Sequence, residues 1–267
     1  MRAILFLSIL AACGDNLHAG TDTDAGTDAV AADATPDTQG LADAMPSVCP
    51  TDTVSVLNPG TPGTDPSDYP APGWWLDDTR AHGMVTVDDA LGAPPGFGCR
   101  SARLVTGDST ASPSADKAQL LSFEQHGAAL STINTISYWA FRSSASTGGA
   151  PVDLALNVSI TGATVPGNFA TLTYEPYFQS TGNTGVMSNV WQHWDATATT
   201  AGDGLWWTTK IPNGTPGSQS MPQPWAAFQA LYSDAKVHGY GFNLGSFNPN
   251  MVTAGDGLVF GTTTTNF

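Results

Sequence analysis

The sequence predicts an all-β fold: an antiparallel β-sandwich of jelly-roll type with one short helix, preceded by a signal peptide and a disordered acidic linker. Two observations point to the sandwich. Several short segments alternate apolar and polar residues, which is the period of a strand with one buried face. Clusters of Gly, Pro, Asn and Asp, as at 181–185 and 212–217, separate these segments and form turns. Alternating strand and helix patterns are absent, so a parallel α/β sheet is disfavoured.

The N-terminus has the three zones of a secretory signal. Arg2 gives a short positive head, residues 4–10 are almost entirely apolar, and two small alanines follow at a cleavage point. The apolar segment is shorter than the roughly 20 residues that a membrane-spanning helix needs. We therefore expect residues 1–12 to act as a signal peptide that is removed on export.

The tetrapeptide at 10–13, Leu-Ala-Ala-Cys, resembles the lipobox of bacterial lipoproteins. The resemblance implies cleavage before Cys13 and acylation of its thiol and new amino group. The acyl chains then anchor the protein, because each buried methylene contributes about 0.8 kcal/mol. Gly14 stands where aspartate signals inner-membrane retention in enteric lipoproteins, so the resemblance favours the outer membrane or the cell surface. The alternative is an ordinary signal peptide in which Cys13 is incidental.

Residues 14–46 contain seven aspartates, no Lys or Arg, and few large apolar residues. Such a tract cannot bury enough apolar surface to offset chain ordering, so 13–46 is predicted to be a disordered tether that begins at the lipidated cysteine. Residues 47–267 hold all eight tryptophans and are long enough for one β-sandwich domain. The net charge of −15 and the scattered basic residues argue against nucleic acid as a partner.

Two cysteines, Cys49 and Cys99, remain if Cys13 carries lipid. Two thiols in an oxidising compartment most simply pair, so we expect a disulfide between them. Closing a loop of about fifty residues stabilises a fold by about 4 kcal/mol in the chain-entropy model. A metal-binding or catalytic thiol is the alternative.

The clearest strand covers residues 152–160, where every second residue is a large aliphatic one. The segment 136–141 is aromatic and β-branched, which predicts a strand buried on both faces. The segment 169–178 also alternates, and Pro176 indicates an edge or a strand end. Further strands are predicted at 102–105, 117–123, 204–209, 237–244 and 257–260.

Helical spacing occurs in one segment, 224–235. Its large apolar residues recur at steps of three or four positions, and Pro224 suits the first turn of a helix. The predicted buried face consists of Trp225, Phe228, Leu231 or Tyr232, and Ala235.

Seven segments follow one another in a recognisable order: GFGCRSARLVT (96–106), ADKAQL (115–120), LSTINTISYWAFRSS (130–144), FATLTYEPYF (169–178), VWQHWDA (190–196), GDGLWWTT (202–209) and YGFNLGSFNPN (240–250). Together they resemble a C-terminal β-sandwich module found in uncharacterised exported bacterial proteins. The resemblance covers most of 70–267 and implies the fold, with little information about activity. The architecture is also similar to galactose-binding-like and carbohydrate-binding jelly rolls, which implies ligand binding by analogy alone.

Catalytic motifs such as HExxH and GxSxG are absent from the sequence, and its five histidines are isolated. Glycoside hydrolysis needs two carboxylates about 5 to 9.5 Å apart, and Glu175 with Asp195 is the candidate pair. The alternative is that Glu175 faces solvent on its strand while Asp195 caps a turn. The protein is therefore not expected to be an enzyme.

An internal repeat joins TAGDGLWW (200–207) to TAGDGLVF (253–260). One interpretation makes Asp203 or Asp256 a calcium ligand, although calcium needs six or more oxygens and the sequence does not show that they converge. The other interpretation is that both copies are Gly-Asp-Gly turns that start strands. No cofactor is predicted apart from this calcium candidate.

The tryptophan pairs at 74–75 and 206–207 offer a more informative pattern. Neighbours on a strand point to opposite faces, so one tryptophan of each pair belongs to the core and the other points outward. The same argument separates Trp191 from Trp194. An outward tryptophan is either covered by loops or used as a stacking platform for sugars. The candidate ligand-binding residues are Trp75, Trp194, Trp206 and Trp207.

These patterns predict an exported, lipid-anchored cell-envelope protein whose non-catalytic β-sandwich binds carbohydrate or another extracellular ligand. Its partners are then a membrane, through the lipid, and a glycan. A polysaccharide-processing enzyme that uses Glu175 and Asp195 is the first alternative. A purely structural surface module is the second.

Overall fold

The structure is a computed structural model that describes residues 54, 56–63, 65–108, 116–148, 152–179, 185–245 and 248–267. The predicted signal peptide, Cys13, the tether and Cys49 lie outside these residues. Within the described part, two sheets of mainly antiparallel strands pack face to face around a shared core, so the predicted β-sandwich is confirmed.

The described residues form fourteen strands and one α-helix. In chain order they are β1 (Leu57–Asn58), β2 (Trp74–Trp75), β3 (Met84–Asp88), β4 (Ser101–Val105), β5 (Ala118–Ser122), β6 (Ile136–Arg142), β7 (Ala155–Thr161), β8 (Phe169–Tyr174), β9 (Trp191–Asp195), β10 (Leu205–Trp207), β11 (Gln223–Pro224), α1 (Trp225–Leu231), β12 (Lys236–Leu244), β13 (Val252–Phe260) and β14 (Thr263–Thr265).

The larger sheet has eight strands in the order β1-β2-β5-β12-β7-β8-β10-β11, in which only β1 and β2 are parallel. The smaller sheet has the order β3-β4-β13-β6-β9, and β14 pairs with β13. Several of the strands that pair are distant in sequence: β12 inserts between β5 and β7, and β13 between β4 and β6. The sandwich is therefore held together by pairings that no local pattern encodes.

Each predicted strand corresponds to an observed one, with two differences of substance. The segment 136–141 forms β6, but only one of its faces is buried, because the other lies on the outside of the sandwich. There Trp139 packs on His193 and Phe141 on Trp191 of the neighbouring strand, which leaves them half-buried. The second TAGDG copy lies inside β13 instead of forming a turn before it.

Aromatic side chains fill the space between the two sheets. Tyr240 stacks on Phe260 at 3.9 Å between ring centroids, which joins the inner faces of the larger and smaller sheets. Tyr138 is fully buried and donates a hydrogen bond from its hydroxyl to the Leu154 carbonyl oxygen at 2.7 Å. Burial of such side chains is the main favourable term in the stability of a domain of this size.

The predicted helix is confirmed over Trp225–Leu231. Trp225, Phe228 and Tyr232 are buried, whereas Leu231 is 52 % exposed, so Tyr232 supplies the third apolar contact of the helix. Trp225 packs on Trp206 at 4.7 Å between ring centroids and donates from Nε1 to the Ile133 carbonyl oxygen at 2.7 Å. These contacts fix the helix against the sandwich.

Asp153 is a buried carboxylate whose titration links stability to pH. It is 3 % exposed and accepts a hydrogen bond from the Leu154 backbone N–H at 2.7 Å. Burial raises the pKa of Asp153 to about 7, against the opposing charge of Arg142. Because the folded pKa lies above the unfolded value of 3.8, the stabilising contribution of the protonated form is complete below 3.8 and is lost as the pH rises through 7.

In the unmodified chain, the titration of Asp153 should lower the unfolding free energy by up to about 1.4 kcal/mol per pH unit between about pH 4 and pH 7. We expect Asp153→Asn to flatten this decline, because asparagine does not titrate. Urea titrations at several pH values measure it. The control is Asp234→Asn, because hydrogen bonds from Thr164 lower the pKa of that exposed carboxylate and its effect lies at acid pH. An equal slope in Asp153→Asn and the unmodified chain would contradict the assignment.

Candidate ligand-binding site

A row of cross-strand partners runs along the outward face of the larger sheet. Directly paired residues point to the same side of a sheet, and the chain neighbours of this row, such as Trp74 and Trp206, lie in the core. At about 4.8 Å per strand, the six strands span about 24 Å. The row consists of Trp75, Leu121, Gly241, Asn157, Thr173 and Trp207.

The side chains in the middle of this row are small or polar and have little solvent exposure. Gly241 has a φ of 154°, and a Cβ there would press on the Leu120 carbonyl oxygen. Across β12, Asn157 donates from Nδ2 to Gln119 Oε1 at 3.4 Å. Asn157 and Thr173 are 6 % and 9 % exposed, so this part of the sheet surface is not accessible to a ligand. Access is confined to the ends of the row.

At one end, Trp207 is half-buried and held by Glu175. The Trp207 Nε1–H donates to Glu175 Oε2 at 2.8 Å, and the Tyr177 hydroxyl donates to the same oxygen at 3.1 Å. Glu175 follows the last residue of β8, and Pro176 begins a 3₁₀ turn, Pro176–Phe178, which brings Tyr177 back towards the carboxylate. The two hydrogen bonds fix the orientation of both the indole and the carboxylate.

Glu175 sits in a partly desolvated position. Burial raises the pKa of its carboxyl group, and the hydrogen bonds from Trp207 and Tyr177 oppose this effect without cancelling it. Both donors occupy Oε2, and among the described residues no donor hydrogen-bonds Oε1. Within the part of the chain that the structure describes, Oε1 therefore lies beside the tryptophan without a hydrogen-bond donor.

A pocket of about 260 Å³ opens against Trp207. Its volume lies just below the roughly 300 to 1,000 Å³ of sites that hold drug-sized ligands, so it fits a ligand unit of about one ring. The loop between β10 and β11 forms the other walls. Besides Trp207 the lining consists of Thr208, Thr209, Ile211, Pro212, Asn213, Ser218 and Gln219.

Buried contacts hold this loop in place. Thr208 and Ser218 are each 1 % exposed, and the Thr208 backbone N–H donates to the Gly217 carbonyl oxygen at 2.9 Å. The pocket is therefore formed by groups that are already ordered.

At the other end of the row, Trp75 also points outward and is half-buried. It packs with Tyr69 against a second apolar cluster formed by Ala71, Leu121 and Phe123. Its Nε1 is buried and donates no hydrogen bond to any described residue. Packing accounts for most of the surface of Trp75, which makes the Trp207 end the stronger candidate site.

The hypothesis that Trp206 and Trp194 contact a ligand is wrong. Trp206 is fully buried and donates from Nε1 to the Ala196 carbonyl oxygen at 2.6 Å. Trp194 is 6 % exposed and belongs to the same core. Their strands turn these side chains towards the opposite sheet, as the two-residue period requires.

Glu175 and Asp195 are placed on different sheets. Asp195 ends β9 of the smaller sheet, and its Oδ1 accepts hydrogen bonds from the backbone N–H and the hydroxyl of Thr197 at 2.9 and 3.0 Å. Asp195 therefore caps a turn, as the alternative interpretation proposed. Within the described residues the two carboxylates share no hydrogen-bond partner.

The calcium candidates are also separated. Asp256 is fully buried within β13, where its Oδ1 accepts from the backbone N–H groups of Gly257 and Phe267 at 2.7 and 3.0 Å. Asp203 lies in the turn before β10. The part of the chain that the structure describes contains no group of three or more His, Cys, Asp or Glu side chains able to hold a metal ion.

Cys99 is half-buried two residues before β4. Because Cys49 lies outside the described residues, the disulfide stays a prediction. No sequence pattern singled out Tyr177 or the loop at 208–219 as part of a site. The turn signal at 212–217 was the one available indication, and it predicts a loop without saying which tryptophan the loop approaches.

No protein-family model matches this chain, and no match was found among curated proteins or solved structures. Among the described residues, no helix combines the length and apolar character that crossing a bilayer requires.

The two neighbouring tryptophans of β10 should differ sharply when truncated. We expect Trp206→Ala to lower the unfolding free energy by about 3–5 kcal/mol, because it leaves a core cavity. Trp207→Ala should cost about 1 kcal/mol, because its ring borders an open pocket. Urea unfolding monitored by circular dichroism measures both, and equal losses would show that Trp207 is a core residue.

Proposed function

We propose that this protein is a non-catalytic carbohydrate-binding protein of the cell envelope, and that Trp207 and the pocket beside it contact the sugar. The observation that carries the proposal is the position of Trp207. Its ring borders an open pocket while its Nε1–H is held by Glu175. An outward aromatic ring with a fixed orientation is suited to stacking on the C–H face of a sugar ring.

The remaining pocket groups suit the hydroxyls of the same ring. Small-molecule sites combine apolar or aromatic walls with a few placed polar groups. Here Trp207 and Ile211 supply the apolar surface, and Asn213, Gln219 and the threonines supply donors and acceptors. Because the loop is tied down at Thr208 and Ser218, little ordering entropy is lost on binding.

Export and anchoring belong to the same proposal. The lipobox-like sequence supports lipid attachment at Cys13, and the aspartate-rich tract to residue 46 supports a solvated tether between membrane and domain. The outer membrane or the cell surface is the proposed location. A disulfide between Cys49 and Cys99 would tie the start of the domain to the segment before β4.

A polysaccharide-processing enzyme is the second candidate, supported by the raised pKa of Glu175, which suits a general acid. Hydrolysis needs a second carboxylate close to the first, and Asp195 is engaged with Thr197 on the other sheet. Binding without catalysis therefore agrees better with the geometry. Release of reducing ends that disappears in Glu175→Gln would establish the enzyme instead.

The binding proposal is tested with the full chain against soluble polysaccharides, including a β-glucan, a mannan, a xylan and an arabinogalactan, by titration calorimetry. We expect at least one to bind and Trp207→Ala to weaken that binding at least about tenfold. Trp191→Ala is the matched control, because it removes a half-buried tryptophan from the outside of the other sheet. Failure of every polymer to bind would reject the proposed function.

Lipid attachment is tested by mass spectrometry of the chain produced in a bacterial host with its own N-terminus. The mature protein is expected to begin at Cys13 and to carry acyl chains, and Cys13→Ala should move it from the membrane to the soluble fraction. Cys49→Ala is the control and should stay acylated. A mature protein without added acyl mass would refute the anchor.

A further inference from the structure

We propose that residues 65–73, the cover loop, form a pH-responsive cover over the Trp75 end of the larger sheet. A neutral pair of histidines, His126 and His238, holds the cover loop closed, and acid opens it. This end of the row lies opposite the Trp207 pocket, and the cover loop responds to pH whether or not that pocket binds sugar.

The cover loop is attached to the sheet mainly through side-chain packing. Among the described residues, the hydrogen bonds made by 65–69 go to partners within 62–69. Tyr69 and Ala71 pack on the apolar surface that also carries Trp75. The position of the loop therefore depends on what these two side chains contact.

Tyr69 rests on the two histidines. Its ring centroid lies 4.4 Å from that of His126, with the planes tilted by 31°, and 5.5 Å from that of His238. The two imidazole centroids are 5.1 Å apart. His126 Nδ1 lies 3.1 Å from the His238 carbonyl oxygen, which can only accept, so Nδ1 carries the proton and donates.

A bulge in β12 places His238 in this cluster. The register between β12 and β7 shifts between Val237 and Gly239, which leaves His238 as the extra residue. Its ring then contacts Phe123 at 5.5 Å and Phe169 at 5.9 Å between centroids. The imidazole is therefore half-buried among aromatic rings, where a positive charge is poorly solvated.

Protonation opposes the closed arrangement. Burial lowers the pKa of His238 below its usual 6.5, the charge of His126 lowers it further, and the carboxylate of Asp77 opposes both effects. Because the folded pKa lies below the unfolded value, the stability that the neutral form contributes is complete above pH 6.5. It is lost as the pH falls from 6.5 through the folded pKa, so acid favours the open loop.

The other charges around the pair do not reverse this direction. Among the described residues, the charged groups on the surrounding elements are Asp68 in the cover loop, Asp77 after β2, Glu124 after β5 and Lys236 at the start of β12. At this end β7 and β8 pair through Thr161 and Phe169, which carry no charge. Asp77 attracts an imidazolium at His238, yet the pKa of His238 stays lowered, so burial and the second histidine outweigh that carboxylate.

The closed state also carries a cost that opening removes. Trp75 Nε1 is buried and donates no hydrogen bond to any described residue. Water reaches this donor when the cover loop leaves, which recovers its desolvation penalty. The loss of one aromatic contact at the histidines is then enough to shift the balance towards the open form.

The test is hydrogen–deuterium exchange of the full chain at pH 7.5 and pH 5.5, corrected for the intrinsic pH dependence of exchange. We expect the peptide that covers 65–73 to exchange at least about threefold faster at pH 5.5, because the open form is more populated. Amides of β7 are the internal reference and should not accelerate, since titration of Asp153 acts on global stability in the opposite direction. His238→Phe should abolish the acceleration while keeping an aromatic ring against Tyr69.

The matched control is His193→Phe, the same substitution at a histidine that packs on Trp139 outside the other sheet. The acceleration should persist in this variant. If circular dichroism shows that His238→Phe does not fold, His238→Gln takes its place with the same expected result. An unmodified chain whose cover loop exchanges equally at both pH values, or an acceleration that survives removal of the His238 imidazole, would overturn the proposal.

Discussion

The two-residue period of a β-strand decides which tryptophans of this protein build the core and which remain available. On β10, Trp206 enters the core and donates to the Ala196 carbonyl oxygen, so its neighbour Trp207 must leave on the other face. The same rule sends Trp74 inward and Trp75 outward on β2. The fold therefore cannot bury one member of a pair without presenting the other, and the outward member needs either a cover or a ligand.

The two outward tryptophans meet this requirement differently. Trp75 is covered by a local apolar cluster that includes Leu121 and Phe123, and its contribution is mainly to packing. Trp207 has a hydrogen-bond partner, Glu175, and an ordered loop that leaves a pocket open beside the ring. Because exposed tryptophan is costly, a ring that is held in one orientation and borders an open pocket is more informative about function than one that is packed.

Much of the fold can be predicted from local sequence. The features that cannot be predicted in this way are those that depend on residues distant in the chain. Alternation placed the strands, and Pro176 marked the end of β8 correctly. The sequence of 136–141 does not reveal that one face of β6 lies outside, since that depends on which sheet its neighbours join. Trp194 was misassigned for the same reason, because alternation separates two faces without saying which is the core. The contact of Tyr177 with Glu175 requires a 3₁₀ turn that no periodicity encodes.

Glu175 connects the stability of this region with the orientation of Trp207. Its burial raises its pKa, so the ionised form is disfavoured by the fold and supported by the two donors on Oε2. The hydrogen bond from Trp207 Nε1 also fixes the orientation of the indole, so the same bond that supports the charge holds the ring at the edge of the pocket. An apolar residue would relieve the desolvation cost and would leave the indole without its partner. The carboxylate thus carries a desolvation cost and fixes the orientation of the ring that borders the pocket.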